Sequence, residues 1–292
     1  MLSLLLIVLA LMIIVPVGLM AAAAWRMSRP ARADIGLPPS DVPVAAVSFR
    51  SANGALIKGW HVPARDGCGS IALFHGVRSN RLAALDRMRF LHREGYGVLA
   101  IDMQAHGESQ GAAITFGKRE SADARAAIEW LRQQGGGPVG TIGASLGGAA
   151  LLIGAAAPDV DAIVLEGVYP TIELAIRARL TTHLGALGRP FAPLFVHVGR
   201  WVTGIRPAEL RPIDGMARLT MPILVMGGTR DTKTPIEETR AMAAAAKGDV
   251  TLWEVEEAGH EDLCAFAPRV YQARVLEFFA RMRRKDDLRG RA

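Results

Sequence analysis

The sequence predicts an α/β fold: a mostly parallel central sheet flanked by helices, with a helical cap insertion. Three observations predict it. From about residue 70 onward, short and nearly continuous apolar runs alternate with stretches of helical period, the pattern of βαβ units whose sheet is buried on both faces. The chain has 292 residues, half of them hydrophobic and 21% charged, enough for one large α/β domain. The stretch from Val168 to Met221 breaks the alternation with helices and turns, between two strands and at the sheet end where such proteins bind ligands.

The elements follow in chain order. Leu2 to Trp25 carries no charge and is long enough to cross a bilayer as a helix despite Pro16. We expect residues 1–25 to be a retained transmembrane anchor. A cleaved signal peptide is the rival, because "MAAAAW" offers small residues for cleavage. Against it, no Lys or Arg precedes the apolar run, the run is longer than a signal core, and Arg26, Arg29 and Arg32 follow at once. The same arginines place the body on the cytoplasmic side. Residues 26–43 form a basic, Pro-rich linker, residues 44–280 the main domain, and residues 281–292 a basic tail.

Within the domain, "VAAVSFR" and "ALIKGWHV" make an antiparallel pair around Ala52-Asn53-Gly54, a good hairpin turn. "SIALFHG" precedes a helix from Arg81 to Glu94, and "YGVLAIDM" one from Glu120 to Gln134. "VGTIGA" precedes a helix starting at Ser145; "DAIVLEG" follows, and then the insertion. The pattern resumes with "PILVMGG", a helix from Ile236 to Lys247, strand "TLWEVEE" and a last helix from about Cys264 to Arg284. In the insertion, about residues 168–221, Leu184, Leu187, Phe191, Leu194, Phe195, Val198 and Trp201 are expected to pack the cap in preference to lining an acyl pocket.

The net charge of +6 resides in the segment after the anchor and in the tail, while the body between them balances. That placement suits an anionic membrane surface or a plain solvated tail. Basic and aromatic residues do not interleave as in a nucleic-acid groove, so no nucleic-acid partner is expected. Cys68 and Cys264 are far apart and outside any C-x-x-C, which indicates neither a redox pair nor a cysteine metal site. No H-E-x-x-H helix occurs, and we expect no metal and no cofactor. "QQGGGPVG" lacks the lysine of a phosphate loop and leads into a strand, so it is a helix-to-strand turn.

The candidate chemistry lies just after the strands. Gly143-Ala144-Ser145-Leu146-Gly147 is a G-x-S-x-G, which in a chain with 31 glycines arises by chance roughly one time in ten. Its context adds weight, because a strand precedes it and a helix follows. A serine on so tight a turn requires small residues two positions either side, here Gly143 and Gly147. Serine also needs a base, a carboxylate to orient that base, and donors for the developing oxyanion. Asp231 lies in the polar turn after "PILVMGG", and His260 follows the last strand. The order Ser, Asp, His at successive strand ends is the order expected of such a triad. The loop after "SIALFHG" offers the amide of Val77 as one oxyanion donor beside that of Leu146. His75-Gly76 ends the strand before that loop; Asp102, His106 and Gly107 are read as loop architecture in preference to catalysis, with His106 near the pocket, and Glu166 is a spare carboxylate that could replace Asp231.

Together "HGVRSN", "DMQAHGES", "GASLGG", "GTRDTKTP" and "AGHEDL" resemble the α/β-hydrolase superfamily over about residues 44–280, in its lysophospholipase-like or serine-aminopeptidase-like branch, which includes members with an N-terminal membrane anchor. One departure is Gln104-Ala105 where Arg-Gly is commoner. The resemblance implies a Ser145–His260–Asp231 triad with Val77 and Leu146 as oxyanion donors. It further implies a serine hydrolase cleaving carboxylic esters or thioesters through an acyl-enzyme, with lipid-like acyl substrates suggested by the anchor. A serine peptidase on the same triad and a non-catalytic tethered scaffold are the alternatives.

Overall fold

The structure, a computed structural model, describes residues 1–65, 67–135, 137–154 and 158–289. A 27-residue helix, α1 (Leu2–Ser28), leads into the domain. Eight strands build the sheet: β1 (Ala45–Arg50), β2 (Leu56–Val62), β3 (Ser70–Phe74), β4 (Gly97–Asp102), β5 (Val139–Ala144), β6 (Ala162–Glu166), β7 (Ile223–Gly228) and β8 (Val250–Val255). Their order across the sheet is β8-β7-β6-β5-β3-β4-β2-β1. β1 and β2 form the antiparallel hairpin, β2 runs antiparallel to β4, and every other pairing is parallel. The α/β class and its mostly parallel sheet are therefore as the sequence predicts.

The central strands are continuous apolar runs because both faces are covered. In β3 and β6 alternate residues go to opposite sides: Ala72, Phe74, Ile163 and Leu165 join one core, and Ile71, Leu73, Ala162 and Val164 the other. Helices α3 (Glu120–Gln134) and α4 (Leu146–Leu152) supply Ala124, Ala127, Ile128 and Ala149 to the first core. Helix α2 (Leu85–Arg93) supplies Met88 and Leu91 to the second. The expected last helix is two: α9 (Leu263–Phe266) and α10 (Pro268–Arg289). Pro268 accounts for the break, since it has no N–H to carry the α9 ladder onward and fits the first position of a new helix.

Register brings the working ends of the strands level. Phe74 pairs with Gly143, Ala144 with Glu166, Glu166 with Met226, and Gly228 with Val255. The strand order also reverses around β3, which lies between β4 and β5, and such a switch point opens a crevice beyond the strand ends. The loops after β3 and β5 border that crevice.

The insertion after β6 is helical, with α5 (Ile172–Leu184), a 3-10 turn over Gly185–Phe191, α6 (Ala192–Thr203) and α7 (Ile213–Met216). Thr171 caps α5 by accepting from Leu174 N at 3.3 Å. α6 stops at Gly204, whose φ of 69° and ψ of 8° are left-handed, the usual glycine helix stop. Helix α8 (Ile236–Ala245) follows β7. Residues 26–43 are more than a loose linker: Ala31–Arg32 pair in parallel with His106–Gly107, and the Arg32 guanidinium donates to Ser109 O at 2.8 Å. In the basic tail, residues 290–292 and the side chains from 283 onward fall outside the described residues.

Candidate active site

Ser145 stands between β5 and α4 with φ 48° and ψ −108°, a conformation that side-chain-bearing residues rarely adopt and that marks a strained, over-determined turn. Its N–H donates to Glu166 O at 2.8 Å, fixing the turn to β6. The flanking glycines are forced by approach of backbone to backbone. A Cβ on Gly143 would lie 2.6 Å from Gly148 N, and one on Gly147 would lie 2.3 Å from Phe74 O. Leu146 then opens α4, and the first-turn amides of a helix have no intrahelical acceptor.

Asp231 lies in the turn after β7 with its carboxylate almost fully buried. Oδ1 accepts from Lys233 N and Thr234 N, each at 2.8 Å. Oδ2 faces His260 Nδ1 at 2.7 Å. With the carboxylate ionised, this contact holds the proton on Nδ1 and leaves Nε2 with a free lone pair. Gly167, with φ 55°, supports the pair from beneath: a Cβ there would stand 3.4 Å from His260 Cε1 and 3.7 Å from Asp231 Oδ2. No sequence motif singles out Gly167; its only signal is its place at the end of "DAIVLEG".

Ser145, Asp231, His260 and Val77 line one cavity of about 490 Å³. Ser145, Leu146 and Val77 also line a second, apolar cavity of about 390 Å³, walled by Phe116, Tyr169, Ile176, Phe195 and Ile205. The serine thus sits where the cavity that holds His260 and Asp231 meets the apolar one. Arg179, a partly buried residue of α5, lines both. Nη1 of Arg179 donates to Ala175 O at 2.9 Å, and burial pushes the guanidinium below its usual range. Of the cap residues singled out from sequence, Phe195 lines the apolar cavity and Val198 packs inside, whereas Leu184, Leu187, Phe191, Leu194 and Trp201 are exposed.

The other strand-end residues are structural. His75 is fully enclosed: Nδ1 donates to Gly76 O at 2.8 Å, Nε2 accepts from Met103 N at 3.1 Å, and burial pushes the ring down to about 3. His106 likewise spends both nitrogens on backbone, donating to Gln104 O at 2.9 Å and accepting from Arg78 N at 3.0 Å. Burial also holds the His106 imidazole below its usual range. Asp102 pairs with Arg81 and accepts from Arg81 N at 2.7 Å and Glu108 N at 3.0 Å. Glu166 is bound to Arg87 Nη2 at 2.7 Å and to the Tyr271 hydroxyl. Arg87 also reaches Asp262 Oδ1 at 2.7 Å, and Asp262, in the same loop as His260, caps α9. This buried network, joining α2, β6, α10 and the His260 loop, was invisible to motif reading because its members are as far as 184 residues apart. Among the described residues, no group of three His, Cys, Asp or Glu is disposed to hold a metal ion. Cys68 and Cys264 are both unpaired thiols.

A switch-point crevice carrying a strained serine, with an Asp-paired histidine three strand ends away, is the architecture of a hydrolase of α/β type. The chain belongs to the alpha/beta hydrolase family, whose sequence model matches residues 71–273. It is similar to the Pyrococcus furiosus esterase Pf2001, with a TM-score of 0.70 and 25% identity over 88% of this chain and 98% of that one. The esterase EaEST from Exiguobacterium antarcticum shares the fold, with a TM-score of 0.61 and 18% identity over 81% of this chain and 100% of that one. The uncharacterized protein YqkD of Bacillus subtilis is 25% identical over 237 residues, 80% of this chain and 78% of that protein.

Proposed function

We propose that this chain is a membrane-anchored serine hydrolase that cleaves carboxylic esters or thioesters of lipid-like acyl groups through an acyl-enzyme. The observation that carries the proposal is Ser145 on its strained turn, lining one cavity with a histidine whose Nδ1 is 2.7 Å from a buried aspartate, and a second cavity that is apolar. The likeness to Pf2001, an esterase by name, supports the ester class.

In the proposed mechanism His260 Nε2 takes the Ser145 hydroxyl proton as Oγ attacks the acyl carbonyl. The developing oxyanion accepts from the Val77 and Leu146 amides. Collapse breaks the bond to the leaving alcohol or thiol, which receives the proton from Nε2. Water, deprotonated by the same Nε2, then attacks the acyl-enzyme and frees the acid and Ser145. Asp231 keeps the proton on Nδ1 throughout. The anchor is α1, which contains one span long and apolar enough to cross a membrane, Ser3–Ser28. The arginines that follow it favour a cytoplasmic body.

Two measurements test the reading. A fluorophosphonate probe should label the wild type at Ser145 and leave Ser145→Ala unlabelled. Ester turnover of Ser145→Ala should fall by three orders of magnitude or more, as an estimate of about 4 kcal/mol or greater, with the fold retained. Ester hydrolysis by that variant at a rate comparable to the wild type would overturn the assignment.

A further inference from the structure

We propose that the last two turns of α1 are part of the substrate site: Ala24 and Met27 bound the acyl cavity and set the length of chain it accepts. The proposal rests on the serine-hydrolase reading above and adds that the anchoring segment also selects the substrate.

Helix α1 has two regimes. Its described side chains up to Leu19 are exposed apart from half-buried Pro16 and Val17, with Leu4 67% and Leu19 66% exposed, whereas Met20 and Ala24 are 8% and 6% exposed. Met20, Ala24 and Met27 follow the spacing of a single helix face. Helix α1 packs on α6 of the cap. Ala23, Ala24 and Met27 line the apolar cavity, and Met27 also lines the catalytic cavity that holds Ser145 and His260. The anchor therefore meets the pocket where the acyl carbonyl has to lie.

The end of the helix is fixed to the machinery beside it. Its last carbonyls lack intrahelical donors, and donors from the body supply them. Arg78 Nη1 donates to Arg26 O at 3.1 Å and Arg29 O at 3.2 Å, and Ile114 N donates to Ser28 O at 2.7 Å. Arg78 adjoins Val77, the proposed oxyanion donor, and is itself held through its N–H to His106. A flexible tether would need none of these bonds. The helix before Met20, residues 2–19, is about 27 Å long at 1.5 Å per residue, close to the thickness of a bilayer core. The membrane surface then falls at the level of the cavity, and an acyl chain leaving the bilayer beside α1 enters the pocket along the same helix. Two alanines in succession, Ala23 and Ala24, leave room for it.

The test uses the full chain in detergent micelles and compares kcat/KM for p-nitrophenyl dodecanoate and butyrate. Ala24→Phe should lower the dodecanoate-to-butyrate ratio at least tenfold, about 1.4 kcal/mol. Met27→Ala should shift the ratio several-fold toward longer chains, and it serves as the decisive variant if Ala24→Phe does not fold. Leu11→Phe, in the exposed span, should leave the ratio at the wild-type value. Ratios within twofold of wild type for both Ala24→Phe and Met27→Ala would overturn the pocket role while ester turnover and Ser145 labelling sustained the hydrolase reading. Loss of both turnover and labelling in the wild type would overturn both.

Discussion

Replacing Asp231 by Asn probes the proposed triad at a point where the hydrogen-bond inventory dictates the outcome. Oδ1 of Asp231 accepts from two backbone amides, Lys233 N and Thr234 N. An asparagine must keep its oxygen on those two donors, because its amide nitrogen only donates. Its Nδ2 then takes the place of Oδ2, 2.7 Å from His260 Nδ1. A donor in that position needs a lone pair on Nδ1, so the imidazole proton moves to Nε2, the nitrogen that has to accept the Ser145 proton. Side-chain volume and both amide bonds survive, so the fold should be nearly unaffected. In serine hydrolases with this constellation the same exchange costs about ten-thousandfold in turnover. Here the expected loss in kcat/KM is about 10³- to 10⁴-fold, roughly 4 to 5.5 kcal/mol of transition-state stabilisation. Glu166 cannot substitute, because Arg87 and Tyr271 hold its carboxylate. The assay is butyrate ester hydrolysis by the purified full chain, with thermal melting as the control for folding. Activity within about tenfold of wild type at an unchanged melting temperature would refute the tautomer argument and remove Asp231 from the triad.

Two further expectations concern stability and topology. Asp123 is fully buried, accepts from Gln104 N at 2.8 Å, and has its carboxyl pushed up to about 7, chiefly by burial. A folded pKa above the unfolded value of 3.8 means that its stabilisation is complete below that value and is lost as pH rises through about 7. Asp123→Asn keeps an acceptor for Gln104 N and has no charge to bury. Chemical denaturation should therefore show the wild type losing on the order of 2 kcal/mol relative to the variant between about pH 5 and 8. Parallel stability profiles would refute this. For topology, protease added to intact cells should spare the body until the membrane is permeabilised, and digestion without permeabilisation would reverse the cytoplasmic placement.

The sheet was legible because its signals are local. Continuous apolar runs such as Val98–Ile101 and Ala162–Leu165 need only their own residues to announce a doubly covered strand. The serine turn was legible for the same reason: the clearance it requires is set two residues either side, at Gly143 and Gly147. The contacts between distant segments were not. Arg87, Glu166, Asp262 and Tyr271 are individually unremarkable surface-type or aromatic residues, and only the fold makes them one buried network. Gly167 likewise belongs to no motif: its φ of 55° favours glycine, and only the fold brings His260 and Asp231 beside it.

Helix α1 itself was legible, but the face it turns to the domain was not, for a different reason. A helix face is read from contrast between apolar and polar sides, and α1 up to Trp25 is apolar all round. A lipid bilayer and an apolar cavity present the same chemistry to a side chain, so no polarity pattern can separate the outward-facing residues from those that line the cavity. Two other signals do separate them. One is size, because a chain-binding face needs room, and Ala21 to Ala24 supply it just where the helix reaches the domain. The other is the hydrogen bonding at the helix end, where the side chain of Arg78 spans the gap to Arg26 O and Arg29 O. Neither is a motif. Both follow from asking where an apolar helix of this length meets the domain and what then satisfies its last carbonyls.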